Sequence, residues 1–107
     1  LERTVLSRYD GAETEKNRVN LLTMHSTKGL EFSRVYIVGV EDEQLIPVPR
    51  NGVIGIQDVE EARRLLYVGM TRTIDRLVMT RVQTRGEKST GGHRFLDEMM
   101  LKPSKAP

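Results

Sequence analysis

The chain has 107 residues, with 17 Lys and Arg against 15 Asp and Glu, a net charge of +2 and no cysteine. The lack of cysteine excludes disulfides and thiolate metal sites and fits a reducing compartment. No apolar stretch approaches the roughly 20 residues of a membrane span, and the N-terminus lacks the apolar core of a secretory signal, so the expectation is a soluble cytoplasmic protein with no membrane partner. One small domain, or a piece of a larger one, would bury only about two thirds of its unfolded surface, and so small a positive excess is by itself a weak sign of a polyanionic partner.

Leu1 to Leu6 is a short amphipathic fragment, and Asp10-Gly11-Ala12-Glu13-Thr14-Glu15-Lys16-Asn17 a polar, glycine-containing connector. Val19-Asn20-Leu21-Leu22-Thr23-Met24 has strand length and runs into His25-Ser26-Thr27-Lys28-Gly29, a stretch without apolar residues whose glycine permits unusual backbone angles. A buried strand that emits a polar loop is the reading. Val35-Tyr36-Ile37-Val38-Gly39-Val40 is β-branched and aromatic enough for a second strand, and its near-continuous apolarity predicts cover on both faces, as in a parallel sheet.

Pro47, Pro49, Asn51-Gly52 and Gly55 make residues 41 to 57 a loop. A helix begins near Asp58, a good cap for the free amides of a helix N-terminus. Val59, Ala62, Leu66, Gly69 or Met70, and Thr73 then recur at helical spacing, with Glu60, Glu61, Arg63 and Arg64 between them. One helix face is therefore buried, with Arg72 near its end. Leu77 to Val82 is a third strand, Gly86 to Gly92 a flexible turn, and Phe95, Leu96 and Met99 fall at helical spacing before a tail from Lys102. Strand, loop, helix and strand in that order predict an α/β layer structure.

Thr23, His25 and Ser26 place short polar side chains just past a strand end, where the open edge of a parallel sheet receives ligands. Arg72 carries a permanently charged planar fork suited to phosphate oxygens; the plain alternative is a surface arginine paired with Asp75 or Glu61. The Glu31 carboxylate can accept hydrogen bonds from a sugar hydroxyl. Lys28 suits either phosphate or solvent, and Gly29 either close backbone approach or an ordinary turn. Arg76, Arg81, Arg85 and Lys88 read as a phosphate track or a solvated edge, and Tyr36 and Tyr67, inside apolar runs, as core packing. His93 stands remote from other ligating residues, and no spacing suits a metal.

Two blocks, Thr23-Met24-His25-Ser26-Thr27-Lys28-Gly29-Leu30-Glu31-Phe32 and Glu60-Glu61-Ala62-Arg63-Arg64-Leu65-Leu66-Tyr67-Val68-Gly69-Met70-Thr71-Arg72, carry a family resemblance. They resemble motifs V and VI in the second RecA-like domain of superfamily 1 DNA helicases of the UvrD/Rep/PcrA type. Arg76 to Arg85 is similar to that family's next strand and Arg94-Phe95-Leu96 to its following helix, so the resemblance covers residues 19 to about 97. It implies a partial RecA-like (P-loop NTPase-type) α/β domain, a mainly parallel sheet flanked by helices. By the same resemblance Arg72 is the catalytic arginine finger, and Lys28, Gly29, Glu31 and Arg72 bind nucleotide, with Glu31 at the sugar. Thr23, His25 and Ser26 would lie along single-stranded DNA, a contact that positions the strand without reading its sequence.

The chain has no Gly-x-x-x-x-Gly-Lys-Ser/Thr loop, since Thr27-Lys28-Gly29 has the wrong order, and no apolar strand ending in Asp-Glu to hold Mg2+. The resemblance puts both elements in the first RecA-like domain of the same parent chain, with ATP and Mg2+ bound between the two domains. The fragment alone is expected to be inactive. Residues 1–16 read as the tail of an inserted helical subdomain plus connector, 17–101 as the C-terminal part of the second RecA-like domain and 102–107 as a flexible tail. The implied parent is an ATP-dependent helicase or translocase acting on single-stranded DNA or single/double-strand junctions. Alternatives are a subunit of a helicase-nuclease and a noncatalytic RecA-like binding module. Thr73 stands where the family often has alanine, and Gln44 to Pro49 matches the family's loop only loosely.

Overall fold

In the computed structural model, residues 4–6, 18–102 and 104 are described. In chain order the elements are β1 (Thr4–Leu6), β2 (Val19–Leu21), a 3-10 turn (Met24–Thr27), β3 (Phe32–Ile37), α1 (Asp42–Leu45), α2 (Ile56–Thr71), β4 (Thr73–Met79), β5 (Thr84–Arg85), β6 (Lys88–Ser89) and α3 (Arg94–Glu98). The expected α/β layering is present. β1 pairs parallel with β2, β3 parallel with β4, and β5 with β6 as an antiparallel hairpin. Parallel neighbours require a crossover of roughly a dozen residues or more, and α1 and α2 supply it between β3 and β4.

The periodic stripe of α2 does what its spacing predicts. Ala62 and Leu66 are buried against Ile37, Val40, Ile46, Phe95 and Leu96, and a fully buried side chain of this size contributes about 1.5–3 kcal/mol. The helix begins two residues before Asp58. Gly55 is the cap residue, and Asp58, in the first turn, reaches back so that its Oδ2 accepts the Gly55 N–H at 2.7 Å. One free amide at the entry to the helix is thereby satisfied.

Several boundaries differ from the sequence reading. The first strand stops at Leu21, because Ser26 and Thr27 turn their hydroxyls onto the local backbone, with Thr23 bonded to the Ser26 hydroxyl, and wind the chain into a 3-10 turn. The expected loop 41–57 contains α1. The third strand runs from Thr73 to Met79 and does not reach Val82; after Thr80 N–H bonds to Ile37 O at 2.9 Å, the Val82 N–H leaves the ladder for the Glu41 carboxylate. Gly86 to Gly92 includes the tip of the β5–β6 hairpin. Opposite Phe32 and Arg34, two residues apart, β4 places Thr73 and Arg76, three apart, so β4 carries one extra residue at its start.

The reading of both tyrosines as core is corrected. Tyr36 is 62% exposed and Tyr67 65%. Val35 and Ile37 point toward α2, which leaves alternate residues Arg34, Tyr36 and Val38 on a face that no layer covers among the described residues. Val19 and Leu21 are likewise exposed. The proposed boundary near residue 16 falls outside the described residues. Among the described residues, no helix is long and apolar enough to cross a membrane.

Candidate functional site

The segment after β2 is a self-bonded turn. Ser26 N–H and Ser26 Oγ both donate to Thr23 O, at 3.1 and 2.9 Å, Thr23 Oγ1 donates to Ser26 Oγ at 3.1 Å, and Thr27 Oγ1 donates to Met24 O at 2.7 Å. All three hydroxyl hydrogens are spent inside the turn. The His25 side chain projects outward, exposed, followed by exposed Lys28. Gly29 has φ +83°, a left-handed conformation that an L side chain adopts only with strain, and no atom lies within 4 Å of where its β-carbon would be. The chain then buries Leu30, exposes Glu31 and enters β3.

Arg72 joins this segment to the end of α2. Its carbonyl accepts the Phe32 N–H at 2.9 Å. Its guanidinium donates from Nε to Val68 O at 3.1 Å, from Nη2 to Thr71 Oγ1 at 3.1 Å and, over a long 3.5 Å, from Nη1 to Leu30 O. Arg72 is thus bonded to the residues on both sides of Glu31. Val68 O is one of the carbonyls left without a helical partner at the C-terminus of α2, where a cation is also favoured by the helix dipole. Neither Asp75 nor Glu61 pairs with Arg72 among the described residues, so the plain surface ion pair does not form. Of a guanidinium's five N–H donors, three are used here and one remains on each Nη.

A second link between the two motifs runs through Gly69 in α2. A β-carbon there would meet Met24 Sδ at 2.9 Å and Met24 Cγ at 3.1 Å, so the helix packs against the 3-10 turn only because this position lacks a side chain. Met24, partly buried, also reaches the core cluster.

The other end of the fold is organised by residues that the sequence reading passed over. Glu41 is fully buried, and its Oε2 accepts the Val82 N–H at 2.6 Å while Oε1 accepts from Arg85 Nη1 at 2.8 Å. Arg85, considered above with Arg76, Arg81 and Lys88 as a basic track, is therefore also an anchor for the hairpin. Buried Thr90 donates to Val82 O at 2.6 Å, and Gln83 O lies 2.9 Å away. Asp42 accepts both the backbone N–H and the Nε of Arg94, capping α3 from outside. A buried carboxylate needs a cation and donors, but those partners lie about forty residues away in the chain, and Glu41, Asp42 and Glu43 read locally as a polar turn.

Arg63 grips Glu98 through Nε and Nη2, at 2.9 and 2.8 Å, and lies 5.6 Å over the Phe95 ring. The hydrogen bonds hold the Glu98 carboxyl below its ordinary range and raise the Arg63 guanidinium. Two open cavities, of about 440 Å³ beside Asp42, Val48, Ile54 and Arg94 and about 400 Å³ along Glu60, Glu61 and Arg64, lie apart from the Arg72 junction. No group of three or more Asp, Glu or His able to hold a metal occurs among the described residues.

Residues 1–84 match the UvrD-like helicase C-terminal domain. The chain belongs to the UvrD-like helicase family. It is 48% identical over 91 residues to the ATP-dependent DNA helicase Rep of Buchnera aphidicola, covering 81% of this chain and 13% of Rep. It is 46% identical over 74 residues to DNA helicase II of Escherichia coli, covering 69% and 10%. To the ATP-dependent DNA helicase PcrA of Staphylococcus epidermidis it is 41% identical over 103 residues, covering 90% and 14%. This UvrD-like helicase segment thus spans about a tenth to a seventh of the curated relatives it matches. Its α/β layers, the polar turn after β2 and the arginine at the end of α2 follow in the order that the family resemblance implies.

Proposed function

We propose that this chain serves an ATP-dependent DNA helicase or translocase in the cytoplasm, as the part of the second RecA-like domain that completes the ATP site from one side. In this reading Arg72 is the arginine finger, Glu31 holds the nucleotide sugar, and Lys28 and Gly29 line the same edge. Thr23, His25 and Ser26 face single-stranded DNA. The observation that carries the reading is the bonding of Arg72 on both sides of Glu31, which ties a cation suited to phosphate and a carboxylate suited to sugar hydroxyls into one joint.

The residues present fit one side of a nucleotide. Two guanidinium N–H groups remain free for phosphoryl oxygens, the Glu31 carboxylate is exposed, and the space beside Gly29 is open. They do not fit a magnesium site, for no group of three or more acids or histidines able to hold a metal occurs among the described residues; in this reading the metal's ligands and the Walker loop belong to the first RecA-like domain of the parent. When ATP draws the two domains together, Arg72 stabilises the charge developing on the transferred phosphoryl group. The 3-10 turn moves with it, because Gly69 and Phe32 fasten that turn to the same helix end.

Arg72→Ala in the intact protein tests this reading. ATP hydrolysis and unwinding fall by about a thousandfold or more, while affinity for single-stranded DNA stays close to wild type. Near-normal ATP turnover in that variant would overturn the finger assignment.

A further inference from the structure

We propose that Thr71 is a positioning residue for Arg72, a role that rests on the finger reading above. A threonine hydroxyl has one hydrogen to give and lone pairs to receive. Here the hydrogen goes to Val68 O at 2.9 Å, and a lone pair receives Arg72 Nη2 at 3.1 Å. Val68 O also accepts from Arg72 Nε at 3.1 Å. The three groups close a ring: hydroxyl to carbonyl, carbonyl to Nε, Nη2 back to hydroxyl. Because its hydrogen is committed to Val68 O, the hydroxyl can only accept from the guanidinium, so the ring fixes the plane of the fork as well as its place.

The side of the guanidinium so held is its Nε–Nη2 edge. The free N–H groups, one on Nη1 and one on Nη2, are then presented in a set direction, which is what a directed phosphoryl contact needs. Without the hydroxyl, Arg72 keeps its charge and its helix-end carbonyl but loses one of its two short bonds. A flexible arginine then samples other directions. Thr71 is exposed, so its replacement by valine opens no cavity, and valine and threonine have similar helix propensity.

The test is steady-state ATP hydrolysis by the intact protein at saturating single-stranded DNA, for Thr71→Val, Thr71→Ser, Arg72→Ala and the Thr71→Val/Arg72→Ala double variant, each checked for an unchanged thermal midpoint. Since small misplacement of a catalytic group costs up to about a hundredfold, Thr71→Val is expected to lower kcat roughly ten- to a hundredfold, with KM for ATP and DNA affinity nearly unchanged. Thr71→Ser, which restores the hydroxyl, returns most of kcat. On the Arg72→Ala background Thr71→Val causes no further loss, because two residues acting through one group are not additive. The proposal is overturned if Thr71→Val keeps wild-type kcat while Arg72→Ala is inactive, or if the two losses multiply. If Arg72→Ala itself turns over ATP normally, the finger reading fails, and the role of Thr71 with it.

Discussion

Gly69 lies so close to Met24 that a β-carbon on the glycine would sit 2.9 Å from the methionine sulfur. The contact is steric, and it sets how tightly α2 seats on the 3-10 turn. Gly69→Val forces Met24 and the turn outward and should cost about 1–3 kcal/mol, the usual range for overpacking. Met24→Ala on that background makes room, so the double variant should recover part of the loss in chemical denaturation. No recovery would mean that the two residues are not in contact.

At the opposite end, Arg85→Ala should be more damaging than Glu41→Ala. Removing the arginine leaves a carboxylate with 0% exposure without its cation, at about 3–5 kcal/mol. Removing the glutamate frees half-exposed Arg85 to turn to solvent and orphans chiefly the Val82 N–H, at about 1–3 kcal/mol. The double variant should resemble Glu41→Ala alone. The reverse ranking in urea unfolding would contradict the anchoring role of the pair.

The buried Oγ1 of Thr73 has no hydrogen-bond partner among the described residues. Thr73→Val keeps the shape and removes the unpaired hydroxyl. It should stabilise the fold by about 1 kcal/mol and raise the thermal midpoint by several degrees. Thr73→Ala should gain less, because it also gives up a partly buried methyl group. An unchanged midpoint for Thr73→Val would show that the hydroxyl is satisfied in solution.

Glu98 predicts an acid-sensitive contribution to the docking of α3. Its carboxyl titrates below the ordinary value of 4.5, chiefly because of the Arg63 hydrogen bond. A lowered folded-state pKa means that the contribution is complete above pH 4.5 and is lost as pH falls through the lower value. Wild type and Glu98→Gln should therefore differ in thermal midpoint at neutral pH and converge under acid. The pair is solvent-exposed, so added salt should narrow the gap.

For the proposed DNA contact, His25 should matter more than its neighbours. The hydroxyl hydrogens of Thr23 and Ser26 are committed within the turn, whereas the imidazole is exposed. His25→Ala in the intact protein should weaken single-stranded DNA binding and its stimulation of ATP hydrolysis, Thr23→Ala should act mainly by loosening the turn, and the pair should be worse than either. Unchanged DNA affinity in the double variant would remove both residues from the DNA path.

What was legible in the sequence was whatever repeats. The helical spacing of Ala62 and Leu66 predicted the buried face of α2, and the β-branched run from Val35 to Val40 predicted only the second half of β3, which starts at Phe32 and stops at Ile37. Periodicity carries no information on how far a partner layer extends, so the exposure of Tyr36 was missed. Arg72 was recognisable only within its motif, since an isolated arginine near a helix end is ordinarily a cap, and here it does cap Val68. Glu41 gave no local signal at all: its partner Arg85 lies 44 residues away, and adjacent acids disguise it as solvent-facing. Thr71 was hidden differently, because its bonds are local but their meaning depends on the neighbour they hold.

The bond from Phe32 N–H to Arg72 O joins the two motifs with main-chain atoms alone. Side chains at either position can drift without touching it, and only proline at position 32 would delete the donor. Whatever side chains the two positions carry, the spacing between the start of β3 and the end of α2 is set at this point by the polypeptide itself.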